Sequence, residues 1–125
     1  MNYRDLYLAA HKAMARAYCP YSHFQVGAAL LTEDGTVFTG VNVENASYGA
    51  SICAERTACV KAVSEGYDKY RALAVCSSSG SASMCGICRQ FLAEFGTDLD
   101  VITGDDADHL TIRKLSELLP DSFSL

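Results

Sequence analysis

The stretch Phe24-Gln-Val-Gly-Ala-Ala-Leu-Leu31, followed by Glu33-Asp34-Gly35 and then Thr36-Val-Phe-Thr-Gly-Val41, decides the fold. Both runs are β-compatible and an Asp-Gly turn separates them, so the segment predicts a hairpin. On its N-terminal side, residues 3–18 place Leu6, Ala9, Ala10, Ala13, Met14 and Ala17 at helical spacing, with Arg4, Lys12 and Arg16 outside that stripe. This predicts an amphipathic helix that stops near Tyr18-Cys19-Pro20, because the residue before a proline is pushed out of helical conformation. On the C-terminal side, residues 42–52 are rich in turn formers and predict a loop, with Ser51 as the N-cap of a helix from about Cys53 to Glu65. Gly66 is the natural stop. Beyond it come a short buried strand from Leu73 to Cys76, a polar loop from Ser77 to Met84, and a helix from about Gly86 to Phe95 stopped by Gly96. A strand from Leu99 to Thr103 and a terminal helix from Thr111 to Leu119, ending before Pro120, complete the reading. Strands alternating with helices after an initial hairpin predict an α/β fold, a three-layer α/β/α domain with a mixed sheet. It spans residues 1–125 as one domain, with no internal repeat and no linker.

Composition narrows the function. A chain of 125 residues builds a real core but has little surplus for a deep private cavity, and a site shared with a partner subunit would relieve that. Ten Lys and Arg against fifteen Asp and Glu, with no basic run longer than two, argue against nucleic-acid backbones as ligands. The start, Met1-Asn-Tyr-Arg-Asp, shows no secretory signal, and no apolar run approaches membrane-spanning length, so a cytoplasmic protein without membrane contact is expected. In a reducing compartment, six cysteines point to metal binding or catalysis before a disulfide frame.

Three features converge. Cys53-Ala-Glu55 opens one predicted helix and Cys85-Gly-Ile-Cys88 opens the next, and both helices follow strand-and-loop connections that bring their N-termini to the same sheet edge. Three thiolates there suit Zn²⁺, leaving a fourth tetrahedral position for water, and helix N-termini favour the negative sulfurs. The resulting net charge near −1 weakens the metal as a Lewis acid. Arg56 and Arg89 are the candidates to hydrogen-bond ligand sulfurs and offset it. Glu55, two residues after Cys53, stands as a proton carrier rather than a fourth ligand. Taken alone, Cys85-x-x-Cys88 equally suits a redox dithiol or half of a structural zinc site.

The motifs resemble those of a known family. Phe24-Gln-Val-Gly-Ala-Ala-Leu-Leu-Thr-Glu-Asp-Gly, Asn42-Val-Glu-Asn-Ala-Ser-Tyr, Cys53-Ala-Glu-Arg-Thr-Ala, Cys85-Gly-Ile-Cys-Arg-Gln and Glu117-Leu-Leu-Pro are similar to the small, homotetrameric, zinc-dependent cytidine deaminases. The resemblance covers nearly the whole chain and implies a mostly five-stranded sheet. It implies that Cys53, Cys85 and Cys88 bind zinc and that Glu55 is the general acid/base. It further implies that Asn42 and Glu44 hold the ribose hydroxyls, that Phe24 packs against the pyrimidine, and that the Ala54 main chain helps bind the ring. Tyr48 and Phe123 match positions that reach into a neighbouring subunit's pocket. The implied reaction is hydrolytic deamination of cytidine and deoxycytidine, a step of pyrimidine salvage.

One departure stands out: the family's proline before Cys-x-x-Cys is Met84 here. Without the fixed φ of proline the substrate-side loop is expected to be less stiff, and Met84→Pro to raise turnover or thermal stability. Read without the resemblance, Asn42 and Glu44 are loop residues making local backbone bonds, and Phe24 is a core residue. Cys19, Cys59 and Cys76 are read as packing residues, and His11, His23 and His109 as solvated. The rival readings are a deaminase of another aminopyrimidine, a polynucleotide editor, for which there is no basic groove, and a zinc-stabilised assembly module without catalysis.

Overall fold

The computed structural model describes residues 1–125. Helix α1 (Tyr3–Met14) begins at Asn2, whose side-chain oxygen accepts from the Asp5 N–H at 2.8 Å. It ends at Met14, earlier than the predicted stop near Tyr18, because the Tyr18 backbone is used elsewhere. Its N–H donates to the Asn42 carbonyl at 3.0 Å, and its carbonyl accepts from the Glu44 N–H at 2.8 Å. That pairing ties the chain ahead of the hairpin to the loop behind it.

The hairpin forms as β1 (Val26–Thr32) and β2 (Val37–Val41), antiparallel. Strand β3 (Tyr70–Ser77) lies antiparallel on the other side of β1, and β4 (Asp100–Asp106) runs parallel to β3. The fifth strand, β5 (His109–Lys114), closes the order β2-β1-β3-β4-β5, so the sheet is mixed and five-stranded. Helix α2 (Ala54–Ser64) joins β2 to β3, and α3 (Gly86–Ala93) joins β3 to β4. Gly66 and Gly96, at φ 94° and 130°, end these helices in the left-handed conformation that glycine adopts without strain.

The predicted terminal helix from Thr111 to Leu119 is corrected: residues 109–114 are strand, and only α4 (Leu115–Leu118) is helical. The Asp106 carboxylate accepts from the Asp108 N–H at 2.8 Å, closing a turn that returns the chain along β4. An extended return pairs the outer edge of β4, which a helix starting at Thr111 would leave open. Almost every β5 residue is exposed, so no period-two burial pattern advertises the strand.

Successive strand residues serve two cores. Ala28, Leu30, Leu73, Val75 and Val101 pack with Ala54, Ala58, Ala62, Cys88 and Leu92 of α2 and α3. Ala29, Leu31, Ala72, Ala74, Cys76 and Ile102 pack on the opposite face with Leu6, Tyr7 and Ala10 of α1. The β1 and β3 runs read as continuously apolar for this reason: both sheet faces are covered. Cys59 and Cys76 are fully buried in these two cores, as packing residues should be.

Gly40 sets the depth of α2. A β-carbon there would stand 2.4 Å from the Ala58 nitrogen and 2.5 Å from the Ala54 oxygen, both backbone atoms that cannot swing aside. Gly40→Ala is therefore expected to push α2 off the sheet and cost about 2 kcal/mol or more in stability, read as a lowered Tm. An unchanged Tm would contradict this placement.

Candidate metal centre and substrate pocket

Both site helices begin on a cysteine. Cys53 (φ −76°, ψ 157°) caps α2 and Cys85 (φ −70°, ψ 162°) caps α3, and neither sulfur is spent on a capping hydrogen bond. Ser51, the predicted cap, instead accepts from the Asn45 N–H at 3.1 Å and braces the preceding loop. Cysteines at these positions hold their sulfurs against the positive ends of two helices. Cys88, one turn into α3, is completely buried, while Cys53 is half-buried and Cys85 exposed.

The three sulfurs lie within 4.8 Å of one another, with Cys53 and Cys85 at 3.6 Å and Cys85 and Cys88 at 3.3 Å. Tetrahedral ligands about 2.3 Å from a zinc ion stand roughly 3.8 Å apart, so small adjustments would make these thiols fit Zn²⁺. The surroundings favour a thiolate: Cys53 is drawn down to about 5, first by its hydrogen bond with Cys88 and then, against the effect of burial, by Arg56. The same bond and burial push Cys88 up. Arg56 places Nη2 3.7 Å from Cys53 Sγ, and its Nε is buried without a partner. Arg89 donates Nε to the Met84 carbonyl and Nη1 to the Leu118 carbonyl, each at 2.7 Å, so these two nitrogens brace backbone rather than sulfur.

Glu55, the second residue of α2, is only 3% exposed. Burial raises its pKa to about 7, with a smaller contribution from the Cys53 charge. A carboxyl that exchanges its proton near neutrality is suited to general acid/base work. Glu55 lines a pocket of about 400 Å³ together with Cys53, Ala54 and Cys85 at one end and Phe24, Asn42 and Glu44 at the other. That volume lies in the usual range of small-molecule sites, roughly 300–1,000 Å³. Phe24 is 44% exposed and presents its ring to this pocket, not to either core.

Asn42 and Glu44 do make the local bonds expected of loop residues. Asn42 accepts from the Val26 N–H at 2.9 Å and donates to the Phe24 carbonyl at 2.7 Å. Glu44 accepts from the Tyr21 and Ser22 N–H groups at 2.9 and 3.1 Å. Tyr48 and Phe123 are not part of this chain's pocket lining. Tyr48 lies in a short 3₁₀ turn with its ring edge-on to Tyr21, and Phe123 is held by its backbone to the Gln90 amide, both rings largely exposed. Sequence reasoning missed Ser22, Ile52, Val75 and the Ser81-Ala82-Ser83 wall. A hydroxyl two residues before Phe24 was the one available signal, and it is weak.

Met84 is 3% exposed in the core beneath α2 and α3. Its loop is braced by Ser77 Oγ donating to the Ser81 carbonyl at 3.2 Å and by the Ser78 N–H donating to the Gln25 carbonyl at 2.9 Å. Met84→Pro would forfeit a buried side chain worth on the order of 2 kcal/mol, against under about 1 kcal/mol gained by restricting φ. The expected sign is thus reversed from the sequence reading: Tm falls, as a thermal melt would show, and a rise would restore the rigidity argument.

Three clustered thiols at two helix starts, with a buried carboxyl beside them in a pocket of small-molecule size, make this a candidate zinc site with a proton carrier at hand. Residues 1–104 match the family model "Cytidine and deoxycytidylate deaminase zinc-binding region", and the chain belongs to that family. It is 51% identical over 119 residues to the "Probable cytidine deaminase" of Dictyostelium discoideum, covering 93% of this chain and 80% of that protein. It is 46% identical to the cytidine deaminase of Sporosarcina psychrophila, covering 99% of this chain and 93% of that one. The crystal structure of cytidine deaminase from Burkholderia pseudomallei superposes with a TM-score of 0.92 at 45% identity, covering 98% of this chain and all of that chain. No helix here is long and apolar enough to cross a membrane.

Proposed function

We propose that this protein hydrolyses cytidine and deoxycytidine to uridine and deoxyuridine with release of ammonia, as a cytoplasmic enzyme of pyrimidine salvage. The observation that carries the reading is the buried Glu55 carboxyl beside the Cys53, Cys85 and Cys88 sulfurs, in a pocket whose far end is lined by Phe24, Asn42 and Glu44. The three thiolates would hold one Zn²⁺ per chain, and Arg56, 3.7 Å from the Cys53 sulfur, would offset part of their charge. When bound, zinc supplies a Lewis acid that activates the attacking water.

Glu55 carries the protons. It takes one proton from the water as oxygen adds to C4 and gives it to ring N3, then takes the remaining proton from the new C4 hydroxyl and delivers it to the amine as that group departs. The C4–O bond forms and the C4–N bond breaks, so cytidine and water become uridine and ammonia without a redox step. Phe24 packs on the pyrimidine, the Ala54 main chain meets its polar edge, and Asn42 and Glu44 hold ribose hydroxyls. The whole chain, residues 1–125, acts as one catalytic domain. Four copies share their pockets, each site receiving Tyr48 and Phe123 from neighbours, which accounts for two rings so exposed in one chain. The net charge of −5 supports free nucleosides over nucleic acid as substrates.

Incubation with cytidine and quantification of both products tests the reading. One uridine and one ammonia per cytidine consumed are expected. Purified zinc-loaded protein that leaves cytidine and deoxycytidine unchanged but converts another aminopyrimidine would move the assignment to that substrate.

A further inference from the structure

The short segment before the first strand carries, beside Phe24, a residue that belongs to none of the motifs named above. Ser22 lies at the pocket wall, and its hydroxyl works in two directions. Oγ donates to Glu44 Oε2 at 2.5 Å and accepts from the Phe24 N–H at 3.0 Å. The Phe24 peptide is therefore held on both sides, its N–H by Ser22 and its carbonyl by Asn42. His23, between them, is the one non-glycine residue with positive φ, at 59°, and its N–H is tied to the Cys19 carbonyl at 2.9 Å. That left-handed residue turns the chain back so that Ser22 faces Glu44 while Phe24 lines the pocket.

An ionised carboxylate offers about four acceptor positions, and Glu44 already fills three with the Tyr21 N–H, the Ser22 N–H and the Ser22 hydroxyl. One remains for a ligand. The Ser22 hydroxyl leads the contacts that hold the Glu44 carboxyl below its ordinary pKa, as expected of a donor that favours the ionised form. A carboxylate fixed by three donors presents its last lone pair in one direction, whereas one freed of the hydroxyl can rotate.

We propose that Ser22 is a positioning residue for substrate binding: its hydroxyl, itself oriented by the Phe24 N–H, fixes the Glu44 carboxylate so that the acceptor for a sugar hydroxyl is set in one direction. This rests on the reading of Glu44 as the acceptor of a ribose hydroxyl. Loss of the Ser22 hydroxyl acts on the sugar contact and leaves the chemistry at Glu55 intact.

Steady-state kinetics of Ser22→Ala, Ser22→Thr and Glu44→Gln on cytidine and on 2′,3′-dideoxycytidine, which has no sugar hydroxyl to read at those carbons, test the proposal. Ser22→Ala is expected to raise KM for cytidine about 10-fold with kcat within about 3-fold of wild type. On the dideoxy substrate the same change in kcat/KM should shrink to under about 2-fold, because the contact it sets is already gone. Ser22→Thr keeps the hydroxyl and should stay within about 3-fold of wild type on both. A general loosening of the fold would instead impair both substrates equally, and that result would overturn the proposal. If Glu44→Gln raises KM for cytidine and Ser22→Ala does not, the coupling fails while the ribose reading stands. If Glu44→Gln leaves KM for cytidine unchanged, the ribose reading fails and the proposal with it.

Discussion

Glu55→Gln is expected to lower kcat on cytidine by about 10²- to 10⁴-fold while the protein still binds one zinc per chain. The size of the effect follows from placement. Glu55 is the one carboxyl at the thiol end of the pocket, it is buried, and its proton is exchangeable near neutrality. Glutamine keeps the shape and can still hydrogen-bond, but it cannot take a proton from water and pass it to nitrogen. The proposed ligand sulfurs are those of Cys53, Cys85 and Cys88, which lie within 4.8 Å of one another, so metal content should not change. Replacing a buried carboxyl by its neutral isostere also removes a desolvation cost, so Tm should hold or rise. Near-normal turnover would remove Glu55 from the chemistry, and loss of zinc would instead make it a ligand. Kinetics paired with metal analysis distinguish the two.

Cys85→Ala carries the second large effect: zinc content falling from about one per chain to near zero, with turnover lost. Cys85 is exposed, so deleting its sulfur costs little packing, and an ordinary surface change would stay within about 0.5 kcal/mol. A drop in Tm well beyond that, abolished when the wild type is first stripped by a chelator, is the expected mark of a lost metal ligand. Cys59→Ala is the complementary control. Its sulfur is fully buried in the core and donates to the Tyr70 hydroxyl at 3.9 Å, far from the thiol cluster in role. That variant should lose stability through a small cavity yet keep its zinc and its turnover. Zinc retained in Cys85→Ala, or lost in Cys59→Ala, would reassign the ligands.

The parts of this fold that are legible from residues alone are those with strong local chemistry. The Asp34-Gly35 turn between apolar runs is a hairpin signal, and Gly66 and Gly96 mark helix ends at left-handed positions that the structure retains. The N-cap of α2 falls two residues beyond the Ser51 that the sequence suggests on the ground that serine is the better cap by propensity. The chain uses Cys53 there and gives Ser51 to the loop, which leaves the Cys53 sulfur 3.6 Å from that of Cys85. Strand β5 reads as helix because Ile112, Leu115 and Leu119 sit at helical spacing, while residues 109–114 form an exposed edge strand and only Leu115–Leu118 are helical. Only its pairing with β4, a long-range fact, settles its conformation.

The site divides the same way. Cys53, Glu55, Cys85 and Cys88 were visible because their residue types are chemically specific and lie at helix starts. Ser22 was invisible because its position depends on His23 adopting φ 59° and on Glu44 arriving from across the hairpin. No residue spacing encodes that meeting. Met84 shows the converse, a conspicuous departure in sequence whose side chain the core simply absorbs.

Zinc stoichiometry determined on the same sample whose conversion of cytidine is followed by ultraviolet absorbance is the most direct test of the central claim. One zinc per chain is expected, with steady conversion of cytidine and deoxycytidine that disappears on chelation and returns with zinc. Zinc bound at one per chain with no conversion of either nucleoside would contradict it, leaving a trithiolate site that stabilises the fold and catalyses nothing.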